Sequence, residues 1–375
     1  MKRQKRRYYN PYHAYRGKSR GKKVILWTAA VLAALLLILL LGAWLLFRRE
    51  LAITGTIRRL DASSPAWFME VRGDYHFQEF LDQGGASSDR EVSAFLSKKI
   101  SKGFYSAPVG TYREGCSVLS AYGADGSHLW GRNYDWTGSV PIIVRHIPEE
   151  GYMSLSTCDF QNITGNSQTL PEGMTNEMLA IAALYVPLDG VNNAGLCVAD
   201  LEVNEGGMPA PDTEKPDLTV TTAIRLLLDK AATVDEALAL LEQYDVHPSG
   251  GISHHLAISD ASGRSVAVEF TEDGFTVVDT PVVTNFNLAN GDTSAGGESA
   301  RERYEALMGP VSVSSSRLTA KDVKDLMAQV SQTETGWVTQ WSMVYGQNES
   351  FVTWYFKGDF TSGVTLPIPS DSHSR

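Results

Sequence analysis

The sequence predicts an α+β domain of packed sheets and outer helices, preceded by a single transmembrane helix. Three observations point there. Val24 to Phe47 is an uncharged apolar run, short β-branched runs recur from Cys116 onward, and two amphipathic helical patterns interrupt them between residues 219 and 244. Strand pairs at hairpin spacing around a helical insertion favour antiparallel sheets with helices on their outer faces.

Charge divides the chain before any motif is read. Residues 1–49 hold 12 of the 33 Lys and Arg and none of the 43 acids, so the remainder carries a net charge of −22. An acidic body of that size repels phosphate backbones, which argues against a nucleic-acid partner. The basic residues instead flank the apolar run, whose 24 residues make a helix about 36 Å long, enough for ~30 Å of hydrocarbon. Trp27 and Trp44 sit near its ends, where aromatic rings favour the headgroup level. Ten Lys and Arg precede the run and only Arg48 and Arg49 follow closely, so the expected topology has a basic cytoplasmic tail (1–23), an anchor in the cell membrane (24–47) and an extracytoplasmic body.

The body divides further, into a segment at 48–115, a main domain at 116–365 and a disordered tail at 366–375. Ser88 stands three residues before Glu91, a capping-box spacing, and the apolar pattern that follows predicts a helix to about Lys102. Strands are predicted over CSVLSAY, HLWGRN, PIIVRHI, GLCVADLEV, HHLAISD, SVAVEF, FTVVD, WSMVY and FVTWYF. The helical pair splits near Ala232, where Thr233 and Glu236 form a second capping box, and TAKDVKDLMAQV gives a further helix. QNIT and NES match glycosylation acceptors at Asn162 and Asn348.

Three cysteines remain to be explained: Cys116, Cys158 and Cys197. The latter two read as buried side chains or as a disulfide pair, and the sequence leaves that open. No CxxC or HExxH spacing occurs, so neither a metal nor an organic cofactor is expected. His254 and His255 are adjacent on a predicted strand, and adjacent strand residues point to opposite faces, so the two do not share one metal. Cys116 needs a base to act as a nucleophile. Cutting the Gly115–Cys116 bond would supply one, because the new α-amino group, with a pKa of about 7.7–8.0, sits on the nucleophile's own residue.

From here the residues carry a resemblance. Cys116, Arg132 within GRNYD, and Asp135 resemble the opening of the N-terminal-nucleophile linear amide C–N hydrolases. That group includes choloylglycine hydrolase, penicillin V acylase, the acid ceramidase and N-acylethanolamine acid amidase type, and the penicillin acyltransferase type. DGVNNAGLCVADLEVNE, HHLAISDASGRSVAVEF, VVTNFNL, GGESARERYEAL and TQWSMVY are similar to later elements in the same order, so the resemblance spans roughly residues 77–356.

The resemblance implies a four-layer αββα fold and hydrolysis of an N-acyl amide through a Cys116 thioester. Arg132 and Asp135 would orient the Cys116 amine and thiol, Asn285 would donate to the oxyanion, and Arg303, or its neighbour Arg301, would stand near the nucleophile. At Glu202 the sequence departs from the bile-salt and penicillin members, which place an asparagine there, and is similar to the N-acylethanolamine acid amidase branch. Asn193 or a backbone N–H is then the substitute oxyanion donor. Tyr134 and Trp136 would line an acyl pocket. Unlike members that lose only an initiator methionine, this chain has 115 residues before its cysteine, and the cleaved segment is expected to stay bound through the apolar face of its helix. An acyltransferase using the same thioester and a catalytically silent membrane-anchored binding protein are the alternatives.

Overall fold

The structure, a computed structural model, describes residues 15–369 apart from 104, 106–114, 124, 166–167, 204–206, 210, 290–296, 314–316, 334–335 and 348–350. The expected tail at 366–375 therefore lies largely outside the described residues, as do most of the basic tail and Asn348. Two compact units are present, Met1–Ala52 and Ile53–Arg375.

Among the described residues, the first unit is one helix. It belongs to Tyr15–Thr54, and its stretch Gly21–Thr54 is long and apolar enough to cross a membrane. It outruns the predicted 24–47 at both ends because the flanking Lys, Arg, Glu and Leu are good helix formers.

The second unit is built from two large sheets. Nine strands pair in the order Arg58–Arg59, Trp67–Arg72, Pro141–Ile147, Ser154–Asp159, Asp189–Asn192, Cys197–Glu202, His254–Ser259, Ser265–Thr271 and Gly274–Asp279. Six pair in the order Val282–Val283, Gly115–Tyr122, His128–Trp136, Val338–Gly346, Phe351–Phe356 and Asp359–Pro367. Each of the nine predicted strands is present. Three apolar clusters show how they stack. Trp130, Tyr134, Leu155, Ala199, Leu201, Ala257, Trp341 and Met343 fill the space between the two sheets. Ile142, Val144, Val198, Leu256 and Ile258 face the other way, under helices that include Val220–Lys230 and Val234–Leu241. Leu119, Leu129 and Val344 pack under Leu307 of helix Gly297–Ser312 and Val323 and Met327 of helix Ala320–Gln329. The layers thus run helix, sheet, sheet, helix, because strand alternation gives each sheet two apolar faces to cover.

Capping residues act as their spacing predicts. Ser88 accepts from the Glu91 amide at the start of Asp89–Ile100, although Glu91 reaches back to the Ser87 amide (2.9 Å) rather than to that of Ser88. Thr233 and Thr319 cap their helices in the same way.

Two pairings depart from the antiparallel expectation: the short Asp217–Thr219 and Asp245–His247 run parallel in a two-stranded sheet, and a longer pair lies in the nine-stranded sheet. Trp67–Arg72 was not predicted as a strand, yet it lies parallel to Pro141–Ile147 in full register from Trp67↔Ile142 to Arg72↔Ile147. Residues 53–103 are accordingly part of the main core: Met69, Val71, Phe77, Phe80, Phe95 and Leu96 are buried in the same cluster as Val144 and Leu227. The boundary expected at residue 48 falls near Ile53 instead, and 53–103 do not form a separate body.

Candidate active site

Cys116 is the second residue of Gly115–Tyr122 and is fully buried. Its strand pairs antiparallel with His128–Trp136 in the register Gly115↔Asp135, Cys116↔Tyr134, Val118↔Arg132. Alternation therefore separates the two residues of the GRNYD motif: Arg132 faces the space between the sheets with Cys116, while Asp135 faces the outer helices with Gly115 and Ser117.

Five long-range hydrogen bonds assemble the site around the main chain of Cys116. The Cys116 amide donates to Asn285 Oδ1 at 2.8 Å, and Asn285 Nδ2 donates to the Glu202 carbonyl at 2.8 Å. Asn285 follows the edge strand Val282–Val283, whose pairing to Leu119 and Val118 puts it alongside the nucleophile. From helix Gly297–Ser312, Arg303 donates to the Cys116 carbonyl, to Ser117 Oγ at 2.7 Å and to Asn285 Oδ1 at 2.9 Å. Its Nη1 also stands 4.0 Å from Asp135 Oδ2. Arg301 is partly exposed and pairs with Glu305, so of the two arginines Arg303 occupies the site.

Arg132 is anchored to the other sheet. Its guanidinium bonds Asp189 at 2.9 Å and the Asp200 carbonyl at 2.9 Å, both on the nine-stranded sheet, and lies over the Tyr134 and Trp341 rings. Asp189, which Trp341 Nε1 also contacts at 2.8 Å, is a site residue the sequence reading missed. Its only sequence signal was an acid inside an apolar stretch.

Several sequence-based site residues occupy other positions. Asn193 is exposed in the turn after Asp189–Asn192, bonded through its amide to Met153, and stands at the opposite end of that strand from Asp189. It cannot supply an oxyanion donor at Cys116. Glu202 pairs with His254 and alternates with Leu201, which faces the second sheet, and its carbonyl accepts from Asn285. Tyr134 is fully buried, stacked on Trp341 at 3.9 Å, and is core rather than pocket wall. Trp136 is half-buried at the rim, edge-on to Trp337 at 5.6 Å, and Trp337 was not singled out in the sequence.

Other expectations are decided by strand faces. His254 bonds Asp200 at 2.6 Å on the helical side, whereas alternation turns His255 toward the second sheet. Cys158 and Cys197 fall in different apolar clusters on opposite faces of one sheet and form no disulfide; burial pushes both thiols well above their ordinary value. Among the described residues, no group of three or more His, Cys, Asp or Glu is placed to hold a metal ion. Both amide atoms of Asn162 are buried, which closes that glycosylation acceptor in the folded chain.

Burial pushes the Asp135 carboxyl up from 3.8 to about 6, against the pull of Arg303, the Thr339 hydroxyl at 2.6 Å and Arg132. Asp159, also fully buried, is raised to about 6 by the same cause. A raised folded value means that the native state binds the proton more tightly, so the stability each of these two groups contributes is fully present below 3.8 and is lost as pH rises through 6. Each group contributes about 3 kcal/mol to that fall. Asp135→Asn is expected to remove its share, and urea midpoints of the full chain at pH 4, 5 and 6 check this; an unchanged slope would contradict it.

The comparisons with known proteins follow this geometry. A family model described as linear amide C–N hydrolases, choloylglycine hydrolase family, matches residues 116–288 and begins at Cys116 itself. Penicillin V acylase of Pectobacterium atrosepticum is 36% identical over 94 residues, which cover 22% of this chain and 25% of that enzyme. The match thus spans about a quarter of that relative's length. Two solved variants of the conjugated bile acid hydrolase of Clostridium perfringens superpose with TM-scores of 0.51 and 0.52 at 15% identity, covering 67% of this chain and 92% of theirs. The mixed α/β fold is therefore shared with those hydrolases. Residues 116–288, with Cys116, Arg132, Asp135 and Asn285 among them, carry the sequence pattern of the linear amide C–N hydrolases of the choloylglycine hydrolase family.

Proposed function

We propose that this protein is a membrane-anchored cysteine N-terminal-nucleophile amidase, which hydrolyses an N-acyl amide after cutting its own Gly115–Cys116 bond. One observation carries the reading: Asn285 and Arg303 converge on the main-chain nitrogen and carbonyl of Cys116. An amide nitrogen already seated on a polar group is preorganised to become the amine of a chain that begins there.

In self-cleavage, the Cys116 sulfur adds to the Gly115 carbonyl carbon, the peptide C–N bond breaks and its nitrogen takes the thiol proton. Water then opens the thioester, releasing Gly115 as a carboxylate. In turnover, the α-amine accepts the thiol proton, the thiolate adds to the substrate carbonyl, and the C–N bond breaks as the leaving amine takes that proton back. Water hydrolyses the thioester. Asn285 Nδ2 donates to the oxyanion, and the Asp135 carboxylate and Arg303 fix the amine's surroundings. The helix Gly21–Thr54 supports a single-pass anchor, and the ten basic residues before Val24 support a cytoplasmic N-terminus.

Incubating purified protein with N-acyl amides, penicillin V and conjugated bile salts tests the reaction class. Release of free amine and free acid supports the proposal, transfer of the acyl group to added amines would redefine the enzyme as an acyltransferase, and no turnover of any amide would remove it. Asn285→Ala is expected to lower kcat by about 10²–10³-fold. Arg303→Lys should impair cleavage nearly as much as Arg303→Ala, because an ammonium cannot reproduce a fork spanning Cys116, Ser117 and Asn285. N-terminal sequencing of the product checks this.

A further inference from the structure

Resting on that reading, we infer that Gly115 marks the acyl subsite, and that the enzyme selects amides of acids whose α-carbon is unbranched, with Trp337 and Trp136 as the wall along which the acyl chain lies.

Self-cleavage and turnover pass through the same species, an acyl thioester on Cys116 Sγ. In the first, the acyl group is Gly115 itself. In the second, it is the substrate's, bound to the same sulfur and facing the same oxyanion donor. The surroundings of Gly115 therefore report what the first carbon of a substrate acyl group meets.

Those surroundings are close on the side where an L side chain would stand. A Cβ at Gly115 would lie 3.3 Å from Asp135 Cβ, 3.5 Å from Trp337 Cε3 and 3.6 Å from Asp135 Oδ2. The Asp135 contact cannot relax easily, because that residue is paired in register with Gly115 and its carboxyl accepts from Thr339 at 2.6 Å. A methylene fits there, whereas a branched carbon crowds Asp135 Cβ and lies in van der Waals contact with the edge of Trp337.

The rim beside it is aromatic. Trp337 is 39% exposed and edge-on to the half-buried Trp136. Two indole faces at the mouth suit an apolar chain leaving the thioester carbon.

Two arms test the inference. In the first, kcat/KM is compared for a linear N-acyl amide and both enantiomers of its 2-methyl analogue with the same amine. At least one enantiomer is expected to react at least about tenfold more slowly, and Trp337→Ala should narrow that gap while raising KM for long linear chains more than it lowers kcat. Trp337→Phe should retain both properties. Hydrolysis of all three amides within twofold would overturn the inference.

The second arm uses the chain as its own substrate. Gly115→Ala should slow cleavage at least about tenfold, Gly115→Val more, and adding Trp337→Ala to Gly115→Ala should restore part of the rate. Cleavage of Gly115→Val at the parent rate would overturn the inference. If cleavage proceeds but no amide is turned over, the amidase reading fails and this arm alone decides the subsite; if no cleavage occurs at all, both fall.

Discussion

Cys116→Ala leaves the chain at its full 375 residues and without turnover. The substitution removes the sulfur that adds to the Gly115 carbonyl and to every later substrate, and by blocking the cut it also withholds the α-amine that serves as base. Losing nucleophile and base together should cost on the order of 10⁶-fold in kcat, since catalytic groups that act as a unit fail as a unit. Folding should survive, because the lost atom is one sulfur in a large core and the Asn285 and Arg303 contacts go to main-chain atoms of residue 116. Intact mass, activity and a melting curve on the same preparation check all three parts. A variant that stays uncut yet turns over amide at the parent rate would rule the mechanism out.

The second large effect concerns the piece left behind by cleavage. It should stay bound to the 260-residue chain under native conditions and separate only in denaturant. Trp67–Arg72 is an internal strand, flanked by Arg58–Arg59 and Pro141–Ile147. Trp67, Met69, Val71, Tyr75, Phe77, Phe80, Leu81, Val92, Phe95, Leu96 and Ile100 all lie in the shared core. At about 1.5–3 kcal/mol for each buried side chain, the gross apolar gain is on the order of 20 kcal/mol, ample to hold two pieces together without a covalent link. Gel filtration of cleaved protein in detergent should give one peak containing both. Phe80→Ala, opening a cavity beside Phe95 and Tyr185, should destabilise that complex by about 3–5 kcal/mol. Separation of the two pieces without denaturant would refute the prediction.

The strands that were missed show what local pattern cannot carry. Ser154–Asp159 reads SLSTCD, a polar string, but it lies between two partners, and its Ser154 hydroxyl accepts from the buried Arg225 at 2.8 Å. Trp67–Arg72 is bordered by residues with no hairpin signal because its partner is parallel and nearly seventy positions away. By contrast, Gly115–Tyr122 and His128–Trp136 form a hairpin whose alternation is complete within a short window, so both strands and their turn could be read directly.

The same division holds for the site. Sequence alone determined that Cys116 opens a strand, that Arg132 lies on the next one, and that an apolar helix precedes the body, because each follows from spacing within a few turns or strand lengths; that Asp135 lies on the same partner strand came from the structure. The tertiary structure decided the rest: that Arg132 turns toward Asp189, that the Glu202 carbonyl accepts from Asn285, that Asn193 stands at the opposite end of its strand from Asp189, and that Trp337 borders Gly115. The physical reason is that a strand's two faces are distinguished only by what covers them. Which layer covers which face is set by packing between residues far apart in the chain, and no local window contains that information.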